Sequence, residues 1–190
     1  MNYIYELPVE ITLNDKVFKI RNKGDYRLIL DIIIMLNDPD LTEEEKVICI
    51  VEMFYEDYQS ILKDEKLIEK SISEAYKFID LGEDFKPSSP KPILMDWEQD
   101  AQLIVPAINR IAGTEVRALP YLHWWTFIGY YNEIGECSFS TVVSIRNKQK
   151  KGKKLDNWEK DYIKENREMV TLKPKLCKEE RDELNDILGI

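Results

Sequence analysis

The sequence predicts a mainly α fold: a short N-terminal β-hairpin followed by about seven helices in two packed helical halves. Three observations lead there. Residues 9–13 alternate apolar and polar ahead of an Asn-Asp pair, which is hairpin patterning. Several later segments repeat apolar residues at +3 and +4 and carry capping residues at their ends. Pro87, Pro90 and Pro92 gather between two such sets, as in a semi-rigid linker.

In chain order, Val9-Glu10-Ile11-Thr12-Leu13 is the first strand, Asn14-Asp15 the turn, and Val17, Phe18 and Ile20 the return. A lone hairpin is marginal, so it must pack on the helices that follow. Asp25 caps a helix from Tyr26 to Leu36, with Leu28, Ile29, Ile32, Ile33 and Leu36 on a broad apolar face. Asn37-Asp38-Pro39-Asp40 breaks it. Thr42 and Glu45 fit a capping box for a helix over 43–58, with Val47, Ile50, Val51 and Phe54 inward. A third helix starts near Asp64 or Glu65, repeats through Ile68, Ile72, Ala75 and Ile79, and stops at Gly82. Beyond the linker, Asp96 caps a helix over 97–112 that Pro106 should kink and Gly113 ends. Further helices are expected over 121–134, from Ser138 into a lysine run that Gly152 interrupts, over 156–169, and over 178–188. The expected organisation is an acidic subdomain over 1–82, a linker over 83–93 and a second helical subdomain over 94–190.

Composition excludes more than it assigns. The 190 residues are 44% hydrophobic and 33% charged, with formal charge −9. A whole-protein basic footprint for nucleic acid is absent. No apolar run approaches the roughly 18 residues of a membrane span, and the opening residues lack the pattern of a secretory signal. Cys49, Cys137 and Cys177 stand far apart with no CxxC, which fits a reduced intracellular protein, and Cys49 falls in an apolar helical run as a small core residue. The single histidine, His123, has no nucleophile or acid placed beside it by spacing. Phosphate-loop, dinucleotide, zinc-protease and nucleophile-elbow motifs are missing. No catalytic residue, metal ligand or cofactor is therefore assigned. The charge is uneven: residues 1–90 hold 20 acidic and 11 basic side chains, while 91–190 hold 16 of each.

Two constellations stand out. Residues 121–131 contain seven aromatic rings counting His123, more than one helix face can hold. They read either as a core helix packed on several sides or as a partner surface anchored by His123, Trp124, Phe127, Tyr130 and Tyr131. Arg146, Lys148, Lys150, Lys151, Lys153 and Lys154 fall within nine residues with no acid among them. They read either as a solvated helix end or as an electrostatic contact for an acidic protein or for nucleic-acid phosphates.

The blocks "DYRLILDIIIMLNDPDLTEEEKVICIVEMFY", "PILMDWEQDAQLIVPAINRIAG" and "LHWWTFIGYYNEIGECSFSTVVSIRNK" occur here in that order. They resemble the bacteriophage Gp-fifteen family over nearly the whole chain, with "DWEQDA" and "LHWW" as the specific parts. The resemblance implies a non-enzymatic protein of phage or prophage tail modules, encoded near the tape-measure gene and working in the cytoplasm of the bacterial host. It implies a tail assembly chaperone whose partner is the tape-measure protein, with self-association as a further possibility and no membrane. Alternatives are a nucleic-acid-associated or host-modulating phage protein using residues 146–154, and a structural tail component.

Overall fold

The computed structural model describes residues 5–84 and 92–188. Most of the expected linker, residues 85–91, lies outside the described residues. The elements are two strands, β1 (Glu10–Leu13) and β2 (Lys16–Lys19), and ten α-helices among the described residues. The helices are α1 (Tyr26–Leu36), α2 (Glu43–Phe54), α3 (Tyr58–Leu62), α4 (Glu65–Ile79), α5 (Ala101–Ala112), α6 (Trp124–Asn132), α7 (Ser138–Lys150), α8 (Asn157–Glu165), α9 (Arg167–Val170) and α10 (Lys178–Leu188). The fold is mainly α with an N-terminal hairpin. Among the described residues, no helix is long and apolar enough to cross a membrane.

The chain divides into two units. The first takes Met1–Lys86, Tyr121–Trp125 and Pro174–Ile190; the second takes Pro87–Pro120 and Thr126–Lys173.

In the first unit, the strands pair antiparallel, Ile11 with Phe18 and Leu13 with Lys16. Asn14 and Asp15 sit at φ 45° and 63°, the left-handed pair that a two-residue hairpin turn requires. Asp25 caps α1 by accepting the Arg27 N–H at 3.0 Å. Thr42 and Glu45 close the expected capping box on α2. That helix ends at Phe54, short of the expected 58, because Tyr55 turns extended and bridges Ile20. The buried Tyr55 hydroxyl then donates to the Ser71 carbonyl at 2.9 Å. At the end of α4, Leu81 takes the left-handed turn (φ 60°), and Gly82 follows it with an N–H bonded back to the Lys77 carbonyl. Leu13, Ile20, Ile29, Ile32, Ile50, Val51, Phe54, Tyr55 and Ile61 are fully buried here. Cys49 is only half-buried. On α10, the Arg181 guanidinium pairs with Asp40 at 2.6 Å.

In the second unit, α5 starts at Ala101 rather than 97. Asp96 still caps, accepting the N–H groups of Glu98 and Gln99 at 2.9 Å, but over a turn. Asp100 accepts the Asp96 N–H at 3.0 Å, which holds that turn closed. Pro106 lies inside α5, and the helix runs through it to Gly113 at φ 69°. The expected helix over 156–169 divides at Asn166 into α8 and α9. Ile104, Ile108, Val116, Val142 and Ile145 are fully buried, and Val142, Ile145 and Val170 form a cluster backed by Leu103, Leu155, Tyr162 and Ile163.

Candidate interaction surfaces

The "LHWW" block belongs to the interior of the first unit. Residues 121–123 are extended rather than helical because they pair with the start of α1. Tyr26 N–H donates to the Leu122 carbonyl at 2.9 Å, and Leu122 N–H donates to the Asp25 carboxylate at 3.0 Å. The His123 ring is buried. Its Nδ1 accepts the Trp125 backbone N–H at 3.0 Å, so it caps α6. A backbone amide can only donate, so Nδ1 is bare and Nε2 carries the proton, which it gives to the Pro8 carbonyl at 2.9 Å. Burial lowers the His123 pKa, against the smaller opposing effects of the Pro8 carbonyl and Asp25. The ring stands edge-on to Phe78 at 5.6 Å.

The two tryptophans solve a different problem. The last carbonyls of any helix lack partners within it. Trp124 and Trp125 supply donors for α4: their indole N–H groups reach the Ile79 carbonyl at 2.9 Å and the Phe78 carbonyl at 2.8 Å. Trp124 is 2% exposed. Gly24 completes the packing. Its φ is +72°, and a Cβ there would lie 2.7 Å from the Phe78 ring.

Of the five expected aromatic anchors, His123, Trp124 and Phe127 are therefore buried, and Tyr130 and Tyr131 are half-buried. His123 and Trp124 are in the first unit; Phe127, Tyr130 and Tyr131 are in the second. Within the second unit, Trp97 of the "DWEQDA" block packs on Phe127 at 6.1 Å and Tyr131 at 5.0 Å between ring centres. In each unit these rings serve packing or helix termini, which is the core-helix alternative of the two readings; of the five, Tyr130 and Tyr131 keep part of their surface exposed.

The basic segment also sorts into different roles. Arg146 is 5% exposed and forms a two-pronged pair with Asp100, at 2.7 and 2.9 Å. Its other N–H groups donate to the carbonyls of Leu94, Met169 and Val170 at 2.8–2.9 Å. All five guanidinium donors are thus committed, and Arg146 is withdrawn from any surface contact. Lys148 pairs with Glu159 at 2.7 Å and Asp156 at 3.2 Å, and the Glu159 bond, then Asp156, raises its pKa. That tie closes the loop from α7 to α8. Gly152, at φ 62°, terminates α7, with Gly152 N–H on the Gln149 carbonyl and Lys153 N–H on the Lys148 carbonyl. Lys150, Lys151, Lys153 and Lys154 remain exposed, with no ion pair among the described residues. Trp158, on the first turn of α8, is 56% exposed and follows them. Trp158 lies four residues past Lys154, and the exposure of both on one short loop and helix start is visible only in the fold.

Sequence reading also missed a cleft in the first unit. It has a volume of about 260 Å³ and is lined by Pro8, Glu10, Ile11, Thr12, Glu74, Lys77, Phe78, Gly82 and Trp125. The strand reading of residues 9–13 was its only sequence signal, because Glu74 and Trp125 come from distant segments.

A family model described as Bacteriophage Gp15 protein matches residues 4–172. No curated protein and no solved structure matches the chain.

Proposed function

The chain belongs to the Bacteriophage Gp15 protein family, and on that premise we propose that it is a tail assembly chaperone that binds the tape-measure protein in the cytoplasm of the bacterial host. The family points to a phage structural or morphogenesis protein. The observation that carries the reading is the match over residues 4–172, which takes in every block of the resemblance. The interior chemistry supports binding rather than catalysis. His123 caps a helix, and the Asp100–Arg146 pair is closed on itself. Co-expression of the full chain with the tape-measure protein of the same phage or prophage tests the reading. The expected result is a soluble tape measure that co-purifies with this chain. A tape measure equally soluble alone, with no co-purification, refutes it. Stoichiometric amounts of this chain in purified virions would instead identify a structural tail component.

A second reading rests on Lys150, Lys151, Lys153, Lys154 and Trp158. Four unpaired ammonium groups beside an exposed indole suit an anionic partner, with single-stranded nucleic acid as the version that also uses the ring. Four phosphate contacts give a slope of log affinity against log salt of roughly −3. Replacing the four lysines with glutamine should abolish both binding and slope. Absence of binding to DNA or RNA at low salt removes this reading.

A further inference from the structure

We propose that the outer edge of β1 and the cleft beside it take an extended, lysine- or arginine-bearing segment of a partner polypeptide as a third strand. The inference rests on the geometry of the first unit alone and stands whether or not the partner is the tape-measure protein.

The register of the hairpin identifies the open edge. Opposite residues in an antiparallel pair alternate between bonded and non-bonded. Leu13–Lys16 flank the two-residue turn and are bonded, as are Ile11–Phe18, and the bonding continues at Ile20 N–H to the Val9 carbonyl, 2.9 Å. The main-chain N–H and C=O groups of Glu10 and Thr12 therefore point away from β2. They have no hydrogen-bond partner among the described residues. The other edge of the hairpin is already covered: Ile20 bridges Tyr55, and Glu56 N–H donates to the Lys19 carbonyl at 3.1 Å.

Open edges are usually guarded by short length, by charged side chains such as lysine, by proline or by a bulge. The β1 edge is four residues long and carries Glu10, Ile11 and Thr12, without lysine, proline or a bulge, so its one charge is acidic and favours a cationic neighbour. It borders a cleft whose lining includes the apolar rings of Phe78 and Trp125, the acidic Glu10 and Glu74, and Lys77. Glu10 and Glu74 form no ion pair among the described residues, whereas Lys77 is held by Asp84 at 2.7 Å. The unbalanced charge facing the cleft is therefore negative. At about 260 Å³ the space falls below the roughly 300–1,000 Å³ of small-molecule sites. It suits one apolar side chain of a segment laid along the strand. Main-chain bonds to Glu10 and Thr12 would hold such a segment, and cationic side chains would meet Glu10 and Glu74.

The test uses the full chain and a short fluorescein-labelled peptide of alternating lysine and valine, read by anisotropy. Trp125 emission provides a second readout in the cleft lining. The wild type should bind it, and the same peptide with glutamate for lysine should not bind. Thr12→Pro removes an outward N–H that the hairpin does not use, and Glu74→Lys reverses a charge of the lining. Each should weaken binding by roughly tenfold or more. Thr12→Pro is checked for folding by circular dichroism, and Glu74→Lys serves if it fails. Methylating the peptide's valine amides and, separately, its lysine amides should abolish binding in one case only, since alternate amides face the strand. No binding by the wild type overturns the proposal. So does equal tolerance of both methylation patterns, which would leave only attraction between a basic peptide and an acidic protein.

Discussion

Removing the Asp100 carboxylate should destabilise the second unit more than any surface change. The Asp100 and Arg146 side chains are 2% and 5% exposed, and the carboxylate receives two guanidinium N–H groups at 2.7 and 2.9 Å. Asp100→Ala leaves those two donors without acceptors and a cation with no counter-charge in the interior. Breaking a buried pair this way costs about 3–5 kcal/mol. For a chain of this length each kcal/mol moves Tm by roughly 2–4 °C, so the expected loss is roughly 6–20 °C. Replacing both partners, as in Asp100→Leu with Arg146→Met, often restores stability when the pair stands alone. It should not do so fully here. Arg146 also serves the carbonyls of Leu94, Met169 and Val170, and the double variant strips all three of that donor. Thermal and urea melts of wild type, both singles and the double give the coupling energy directly. A cost under about 1 kcal/mol for Asp100→Ala, or a double variant as stable as wild type, would refute the claim that this pair and its three carbonyls hold the second unit together.

Three further outcomes follow from the first unit. Gly24→Ala should cost at least about 2 kcal/mol in a urea melt, because the new Cβ falls 2.7 Å from Phe78 Cζ at a left-handed φ. Stability should fall with acid through His123: its folded pKa lies below the ordinary 6.5, so the stabilisation is complete above that value and is lost as pH drops through the folded one. His123→Asn keeps a capping oxygen for α6 and should flatten the part of the pH profile that falls away below the ordinary histidine value of about 6.5; an unchanged profile would count against the neutral-ring assignment. Tyr55→Phe should cost about 1 kcal/mol, through the lost bond to the Ser71 carbonyl, and a neutral result in a melt would contradict it.

Local patterns in the sequence located most of the elements. The alternation over 9–13, the Asn-Asp turn, the Asp25 cap and the Thr42–Glu45 box each act within a few residues, so propensity and spacing carry them. The misplaced boundaries share a cause. Tyr55, Leu122 and Asp100 leave the helices that local periodicity assigns them because each has a partner far along the chain: Ile20, Asp25 and Arg146. Arg146 illustrates how site residues hide. It lies in a run of cations, yet it shares a helical face with Val142 at +4 and follows the buried Ile145. Lys148 reaches Asp156 and Glu159, eight and eleven residues on, which a charge count over the run cannot register. The cleft was hidden for the same reason, since its walls come from residues near 10, 75 and 125.

The proposed partner recognition can be separated from folding because of what the two marker blocks do. "LHWW" caps one helix and completes the terminus of another; "DWEQDA" packs Trp97, anchors Asp100 and ties Gln99 to the Lys173 backbone at 2.9 Å in both directions. These residues build the fold, so their alteration should reduce stability and binding together. Residues that face outward without internal partners are under no such constraint. Glu10, Thr12 and Glu74 on the first unit and Lys150, Lys151, Lys153, Lys154 and Trp158 on the second are of that kind. Side-chain changes confined to them, proline excepted, should leave the melting curves within about 0.5 kcal/mol of wild type. A loss of partner binding at unchanged stability therefore separates recognition from folding in this chain, and the buried residues of the marker blocks cannot give that result.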